Sequence, residues 1–139
     1  MIQLPARYAQ EMIEHARAGA PQEVCGILAG RQGRVVKLYR TRNVAEQPLV
    51  TYRMEPHEQL RIFRDIDEQG WEILGIYHSH PATEAYPSAT DMKLAFYPDS
   101  LYFIVSLARQ KPVIRAFRIN QERGEIQEEE VVIVGGDRL

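Results

Sequence analysis

WEILGIYHSHP, residues 71–81, is the most informative segment of this 139-residue chain. The residues before the first histidine are apolar, aromatic and β-branched, so they predict a buried strand. Because side chains alternate faces along a strand, His78 and His80 point the same way and Ser79 points to the other face. Pro81 removes a backbone donor and ends the strand. Two imidazoles on one face therefore form half of a metal coordination shell.

A carboxylate follows on the next predicted element. A loop of small and polar residues leads into SATDMKLAF, residues 88–96, which is typical of a short helix with Asp91 in its first turn. Two histidine nitrogens and one aspartate oxygen are three protein ligands, the pattern of a catalytic zinc with its fourth position left for water. The same set forms the facial triad of non-haem iron oxygenases, and the spacing alone does not exclude iron.

Ser88 and Asp91 also have a plain structural interpretation. Ser88-x-x-Asp91 matches a capping box, in which the serine hydroxyl accepts from an unpaired amide and the carboxylate reaches back to the cap. Such boxes open many ordinary helices, so the pair alone favours capping. A same-face histidine pair at the end of a buried strand costs desolvation that a bound ion would offset. The combination therefore favours a metal site.

A zinc hydrolase also needs a carboxylate base near the bound water, and Glu23 is the candidate. It immediately precedes VCGILAG, residues 24–30, an apolar run typical of a strand. An ionisable residue at the start of such a run is unexpected unless it is exposed or has a function. The alternative is therefore a solvent-facing residue at a strand edge, since surface glutamates are common.

The only cysteine, Cys25, lies in the same apolar run. A single cysteine rules out an intramolecular disulfide and suits a reducing compartment. A cysteine hydrolase, with Cys25 as nucleophile and a histidine as base, is a further alternative. Unpaired cysteines are among the most buried residue types, so a small packed residue within a strand is the favoured interpretation.

In order and spacing, these residues resemble the JAMM (MPN-plus) metalloproteases. A glutamate precedes Cys-Gly-Ile-Leu-Ala-Gly, His-Ser-His-Pro follows, and seven residues separate its second histidine from Ser-x-x-Asp. The resemblance covers all but the last few residues and implies one domain over residues 1–139. It also implies an α/β fold of the α+β type, the MPN/JAMM (cytidine-deaminase-like) fold, with a mixed β-sheet flanked by helices.

The resemblance assigns a role to each residue of the motif. His78, His80 and Asp91 match the zinc ligands of the family. Glu23 matches the glutamate that takes a proton from the zinc-bound water and passes it to the leaving amine. Ser88 matches the serine whose hydroxyl stabilises the tetrahedral oxyanion. The implied reaction is peptide or isopeptide hydrolysis without a covalent enzyme intermediate.

The resemblance also bears on the substrate. Eukaryotic deubiquitinating members carry insertions around the active site, and the short interval from Asp91 to Leu101 leaves little room for one. The chain thus looks like the compact prokaryotic form, which is associated with ubiquitin-like sulfur-carrier proteins. We therefore expect a zinc peptidase or isopeptidase that cleaves after the C-terminal Gly-Gly of such a carrier, removing an extension or an attached amino acid such as cysteine.

Three alternatives stay open at this point. A deubiquitinase-like isopeptidase acting on ubiquitin-type conjugates would use the same catalytic unit. An MPN scaffold without activity is a second alternative, although such members lose the glutamate or metal ligands that are all present here. The third is the iron oxygenase, in which Glu23 would have no evident task.

Composition agrees with a cytosolic enzyme of one domain. The chain is 45% hydrophobic and 26% charged, close to ordinary globular usage. Its net charge is −2 and it has no basic block, which argues against nucleic acid as a partner. It shows neither a signal peptide nor an apolar run of the roughly 18 residues that a membrane span needs. We therefore expect a cytoplasmic protein without membrane contact; its oligomeric state, a homodimer included, stays open.

The rest of the chain is interpreted as scaffold. The predicted elements are a helix over 5–18, strands over 23–29 and 34–41 joined by a turn at 30–33, a short strand over 50–54, a helix over 58–69 that begins near Pro56, and strands over 101–107, 113–119 and 126–134. Ser79 is expected to pack or to hydrogen-bond away from the metal. His15 is expected on a helix surface, and neither His57 nor Gly135-Gly136 near the end is given a role.

Overall fold

The structure is a computed structural model, and it describes residues 1–135. Gly136 therefore lies outside the described residues. In chain order the elements are β1 (Ile2–Pro5), α1 (Ala6–Gly19), β2 (Cys25–Arg31), β3 (Arg34–Thr41), α2 (Pro56–Glu68), β4 (Glu72–His80), α3 (Ala89–Lys93), β5 (Leu101–Ser106), β6 (Val113–Asn120), β7 (Glu125–Glu129) and β8 (Val131–Val134). None of the helices within this part of the chain is long and apolar enough to span a membrane.

All these strands belong to one mixed sheet, in the order β7-β6-β5-β4-β2-β3-β1-β8. Strand β4 pairs with β5 in parallel and with β2 antiparallel, so the strand that carries the histidines is supported on both sides. Only Glu130 separates β7 from β8, although they stand at opposite ends of this order. The sheet must therefore curl until its two ends meet. A mixed sheet flanked by helices is confirmed.

The two faces of β4 serve different cores. A β-bulge at Leu74 sets the alternation, because Leu28 pairs with Gly75 and Ala29 pairs with Ile73. Beyond it, Tyr77 belongs to the apolar cluster that contains the buried residues of α1, whereas Ile76 belongs to the cluster that contains those of α2. Since side chains alternate, the two histidines that follow face the α2 side of the sheet.

Several predicted boundaries differ from the structure. Strand β1 was not predicted: four residues with a parallel partner on each side carry too short a pattern to detect from sequence. The predicted strand over 126–134 is two strands, because at Glu130 the chain leaves β6 and begins to pair with β1. The predicted helix over 88–96 ends earlier, at Lys93. Beyond that end the chain turns, and the amide of Phe96 donates to the carbonyl of Leu94 at 3.0 Å.

The predicted strand over 50–54 is also wrong. Only Met54 pairs, in an isolated bridge with Asn43. Elsewhere in this segment the Asn43 side chain bonds the carbonyl of Thr51 and the amide of Arg53, at 3.0 Å each. A side chain therefore satisfies backbone groups that a strand partner would otherwise bind.

The predicted surface position of His15 is corrected as well. This histidine is half-buried on α1, and its Nδ1 lies 2.7 Å from the hydroxyl of the fully buried Tyr77. Burial, helped by the nearby charge of Arg40, lowers the pKa of His15 to about 4. The side chain is therefore part of the packing between α1 and the sheet.

Candidate metal centre

The histidine pair lies at the end of β4, in the middle of the sheet. His78 and His80 are 1% and 4% exposed, and their Nε2 atoms lie 3.1 Å apart. Ser79 turns to the opposite face, as predicted, and its Oγ accepts a hydrogen bond of 2.8 Å from the amide of Val24. That bond ties β4 to the chain just before β2. Strand alternation thus separates the metal-facing side chains from a structural one.

Asp91 reaches the histidines from α3. Its Oδ2 lies 3.1 Å from the Nε2 of His78 and 3.1 Å from that of His80. The capping box is also present: the Ser88 amide donates to Asp91 Oδ2 at 2.9 Å, and the Asp91 amide donates to Ser88 Oγ at 3.0 Å. Capping and metal binding are therefore not alternatives here, since capping fixes the carboxylate where a ligand is needed.

This arrangement of donors fits zinc. The three ligand atoms lie 3.1 Å from one another, while tetrahedral zinc with bonds of 2.0–2.2 Å holds its ligand atoms about 3.3 Å apart. His80 Nδ1 lies 2.7 Å from the carbonyl of Glu84, which can only accept, so this nitrogen carries the hydrogen. In the neutral ring, His80 Nε2 therefore presents a lone pair to the centre, as a hydrogen bond from the other ring nitrogen commonly ensures in metal sites.

The charges of the cluster suit a cation. Burial lowers the pKa of His78, although Asp91 opposes this. Burial would also lower the pKa of His80, but the hydrogen bonds to Asp91 and to the Glu84 carbonyl outweigh it and raise the value. Burial acts to raise the pKa of Asp91, yet hydrogen bonds from both histidines hold it far below its usual range. A buried carboxylate anion facing two imidazoles is a ligand set for a divalent metal.

Glu23 lies just before β2 and is only 6% exposed, so the alternative of a solvent-facing strand edge is wrong. Its Oε1 is buried without a hydrogen-bond partner among the described residues. Burial raises the pKa of Glu23 to about 7; His80 opposes this shift and Asp91 adds to it. A carboxyl with a pKa near neutral pH, coupled to the charges of His80 and Asp91, suits the role of a general base.

Ser88 keeps one hydrogen-bonding function free of the capping box. Its hydroxyl oxygen accepts from the Asp91 amide, which leaves the hydroxyl hydrogen to donate elsewhere. The residue is exposed, so a substrate can reach it. The arrangement is therefore compatible with a donor to an oxyanion.

Cys25 does not have the properties of a nucleophile. The residue is fully buried, and its sulfur lies 3.2 Å from the Thr41 hydroxyl. Burial raises the pKa of the Cys25 thiol to about 11, so the thiol stays protonated near neutral pH. A packed strand residue is thus confirmed, and His57, 93% exposed at its side chain, lies outside the cluster.

Two residues near the site, Tyr52 and Asn43, were not identified from the sequence. The Tyr52 ring stacks on His78, with centroids 4.5 Å apart and planes 23° apart. The Asn43 side chain makes four hydrogen bonds: one to the backbone of Glu23 and three within the loop that carries Tyr52. Their positions depend on how a loop without regular structure folds, which no periodic pattern reports.

Comparison with known proteins places this geometry in a family. The chain is 38% identical over 137 residues to the CysO-cysteine peptidase of Mycobacterium tuberculosis, covering 96% of this chain and 92% of that protein. It is 39% identical over 111 residues to a desampylase of Haloferax volcanii, covering 76% of this chain and 80% of that protein.

Solved structures agree. The solution structure of protein DSY2949 from Desulfitobacterium hafniense superposes with a TM-score of 0.86 at 41% identity, covering 97% of this chain and 94% of that one. A structure described as a JAMM metalloprotease-like zinc site in the proteasome and signalosome shares the fold, with a TM-score of 0.59 at 19% identity and coverage of 95% and 98%. Residues 5–120 match the family described as prokaryotic homologs of the JAB domain. The resemblance to the JAMM metalloproteases is thereby confirmed, and the chain belongs to this family of prokaryotic JAB domain homologs.

Proposed function

We propose that this protein is a zinc-dependent peptidase that cleaves after the C-terminal Gly-Gly of a ubiquitin-like sulfur-carrier protein. The observation that carries the proposal is the cluster of His78, His80 and Asp91, with ligand atoms 3.1 Å apart and the buried carboxylate of Glu23 beside them. Three protein ligands leave one coordination position for water, which distinguishes a catalytic from a structural zinc site.

Each residue has one task in the proposed reaction. His78, His80 and Asp91 hold the zinc, which when bound lowers the pKa of its water and polarises the scissile carbonyl. Glu23 takes the proton of the attacking water on its carboxylate and passes it to the leaving amine. Ser88 donates its hydroxyl hydrogen to the oxygen that becomes negative in the tetrahedral intermediate. Because water is the nucleophile, the enzyme forms no covalent intermediate.

The burial of the site supports a glycine-rich substrate. The three ligand residues are 1%, 4% and 7% exposed, and the proposed base is 6% exposed. A Gly-Gly tail suits such recessed groups, because it places no side chain between the scissile carbonyl and the site. The names of relatives agree, since the similar mycobacterial protein is a CysO-cysteine peptidase and the similar Haloferax protein is a desampylase.

Those two relatives support two versions of the leaving group. Similarity to a CysO-cysteine peptidase favours release of a single amino acid or short extension from a carrier tail. Similarity to a desampylase favours release of a modified protein from an isopeptide bond, which is the second candidate function. Both versions hydrolyse the bond after the tail and need the same five residues.

The test is the intact mass of a ubiquitin-like sulfur carrier, extended by a few residues beyond its Gly-Gly, after incubation with zinc-loaded protein. We expect cleavage after Gly-Gly by the wild type and none by Glu23→Gln at equal zinc content. A lysine-linked conjugate of the same carrier, assayed in parallel, distinguishes the two leaving groups. The proposal fails if zinc-loaded protein leaves both substrates intact while hydrolysing unrelated peptides.

A further inference from the structure

The side chain of Asn43 uses all four of its hydrogen-bonding positions. Its Nδ2 donates to the carbonyl of Glu23 at 2.9 Å and to that of Thr51 at 3.0 Å. Its Oδ1 accepts from the amides of Ala45 and Arg53, both at 3.0 Å. An amide side chain can accept two and donate two such bonds, so this one is fully satisfied. Loss of either half would leave backbone groups without partners.

On one side these bonds hold the aromatic ring that covers a zinc ligand. Thr51 and Arg53 are the two neighbours of Tyr52, so Asn43 binds the backbone directly before and directly after this residue. The Tyr52 ring stacks on His78, with centroids 4.5 Å apart. Backbone pairing of this segment is limited to the isolated bridge between Asn43 and Met54, which includes a bond of 2.8 Å from the Val44 amide to the Arg53 carbonyl. The Asn43 side chain adds a bond on each side of Tyr52.

On the other side the bonds hold the proposed base. Both backbone groups of Glu23 bind the segment that starts at Asn43: its carbonyl accepts from Asn43 Nδ2, and its amide donates to the carbonyl of Pro48 at 2.7 Å. The Oε1 of the Glu23 carboxylate has no hydrogen-bond partner within residues 1–135. Because no hydrogen bond restrains this oxygen, the orientation of the carboxylate depends on where the backbone is held.

We propose that Asn43 is a positioning residue that aligns Glu23 and the Tyr52 ring with the zinc centre. The inference rests on the proposed role of Glu23 as base. A base displaced by as little as 1 Å can lower the rate about 10²-fold, so a bond to its backbone affects turnover without contact with the substrate. The expected effects are on the chemical step, through Glu23, and on the rate of zinc release, through the Tyr52 ring on His78. Zinc content should not change, because the four side-chain hydrogen bonds of Asn43 go to none of the three ligand residues.

Two substitutions distinguish the positioning of Glu23 and Tyr52 from a role of Asn43 in holding the loop together. Asn43→Asp keeps an oxygen that accepts from Ala45 and Arg53 but replaces the donor to Glu23 and Thr51 by an acceptor. Asn43→Ala removes all four bonds. Asn120→Asp is the matched control, because it is the same chemical change at the exposed Asn120, whose Oδ1 accepts from Arg123.

The experiment compares these variants as zinc-loaded full-length proteins. It measures zinc content, hydrogen exchange at single amides, the rate of zinc release to a chelator, and kcat and KM for the extended carrier. For Asn43→Asp we expect full zinc content and retained protection at Ala45 and Arg53, but faster exchange at the Glu23 amide. Zinc release should be faster, and kcat should fall about 10- to 100-fold with KM changed less than about threefold. Asn120→Asp should match the wild type in every measurement.

The outcomes separate this inference from the proposed function. If Asn43→Asp keeps the wild-type kcat, or loses activity only in proportion to lost zinc, Asn43 is not a positioning residue. If the wild type does not cleave the carrier, or Glu23→Gln remains active, the proposed function fails instead. In that case the exchange rate of the Glu23 amide and the zinc-release rate of Asn43→Asp test the positioning role of Asn43. Values equal to those of the wild type overturn the inference.

Discussion

The two halves of the site are held in different ways. The histidines lie on β4, which is hydrogen-bonded to a strand on each side, and Asp91 is fixed by a helix cap. Glu23 and Tyr52 lie outside the strands, on backbone that side-chain hydrogen bonds of Asn43 hold. Sheet and cap geometry are cooperative, whereas a loop held by a few bonds is easier to displace. Metal binding should therefore tolerate changes that abolish turnover.

Removal of the metal should have the largest effect. Chelation of zinc, or His80→Gln, should lower the cleavage rate by about 10³-fold or more, because the metal contributes several kcal/mol of transition-state stabilisation. Zinc addition should restore chelated wild type and fail to restore the variant, as followed by metal analysis and intact-mass assay. Full activity in a metal-free sample would contradict the zinc site.

Glu23→Gln should separate binding from turnover. The glutamine has nearly the same shape but cannot accept the proton of the attacking water, so kcat should fall about 10²- to 10⁴-fold. Because Glu23 is not among the three ligand residues, zinc content should remain that of the wild type. Parallel loss of zinc and activity would instead make Glu23 part of the metal-binding half.

Ser88→Ala should reduce both activity and stability. The loss of an oxyanion donor should lower kcat about 10²-fold, and the loss of the helix cap should lower the free energy of unfolding by about 1 kcal/mol. Ser88→Thr keeps a hydroxyl that can both cap and donate, so it should recover most of both properties. Denaturation curves and kinetics of the two variants test this, and an alanine variant with wild-type kcat would leave Ser88 as a cap only.

The sequence predicted the three residues of the metal-binding cluster more completely than the contacts that hold Glu23 and Tyr52. His78 and His80 follow from strand alternation, and Asp91 from a capping pattern, which are local rules that a short segment obeys. Glu23 was identified as an ionisable residue before an apolar run, with the family resemblance giving its role. The burial of Glu23 depends on distant parts of the chain.

The missed features depend on contacts between segments. Tyr52 falls within the predicted strand over 50–54, yet only Met54 pairs, and the side chain of Asn43 binds the backbone on both sides of Tyr52. The break at Glu130 was missed because no glycine or proline marks it, although the chain changes its partner there from β6 to β1. Neither contact leaves a periodic signal.

The smallest effect concerns the stability of the metal-free protein. Burial raises the pKa of Glu23 from 4.5 to about 7, so the folded state binds the proton more tightly than the unfolded state. This carboxyl therefore contributes stability that is fully present below about pH 4.5 and is lost as pH rises through about 7. The loss should be on the order of 1 kcal/mol, because relaxation and water penetration reduce the cost of charging a buried carboxyl.

Chemical denaturation of metal-free wild type and Glu23→Gln between pH 4.5 and 7.5 measures this contribution together with the coupling between Glu23 and His80, because the other titratable groups are common to both proteins. We expect the free energy of unfolding of the wild type to fall relative to the variant as pH rises. A constant difference between the two proteins would mean that Glu23 is solvated in the metal-free state. The loop held by Asn43 would then fail to keep the base in place before zinc binds, and the contrast between a rigid metal-binding half and a separately held base would become stronger.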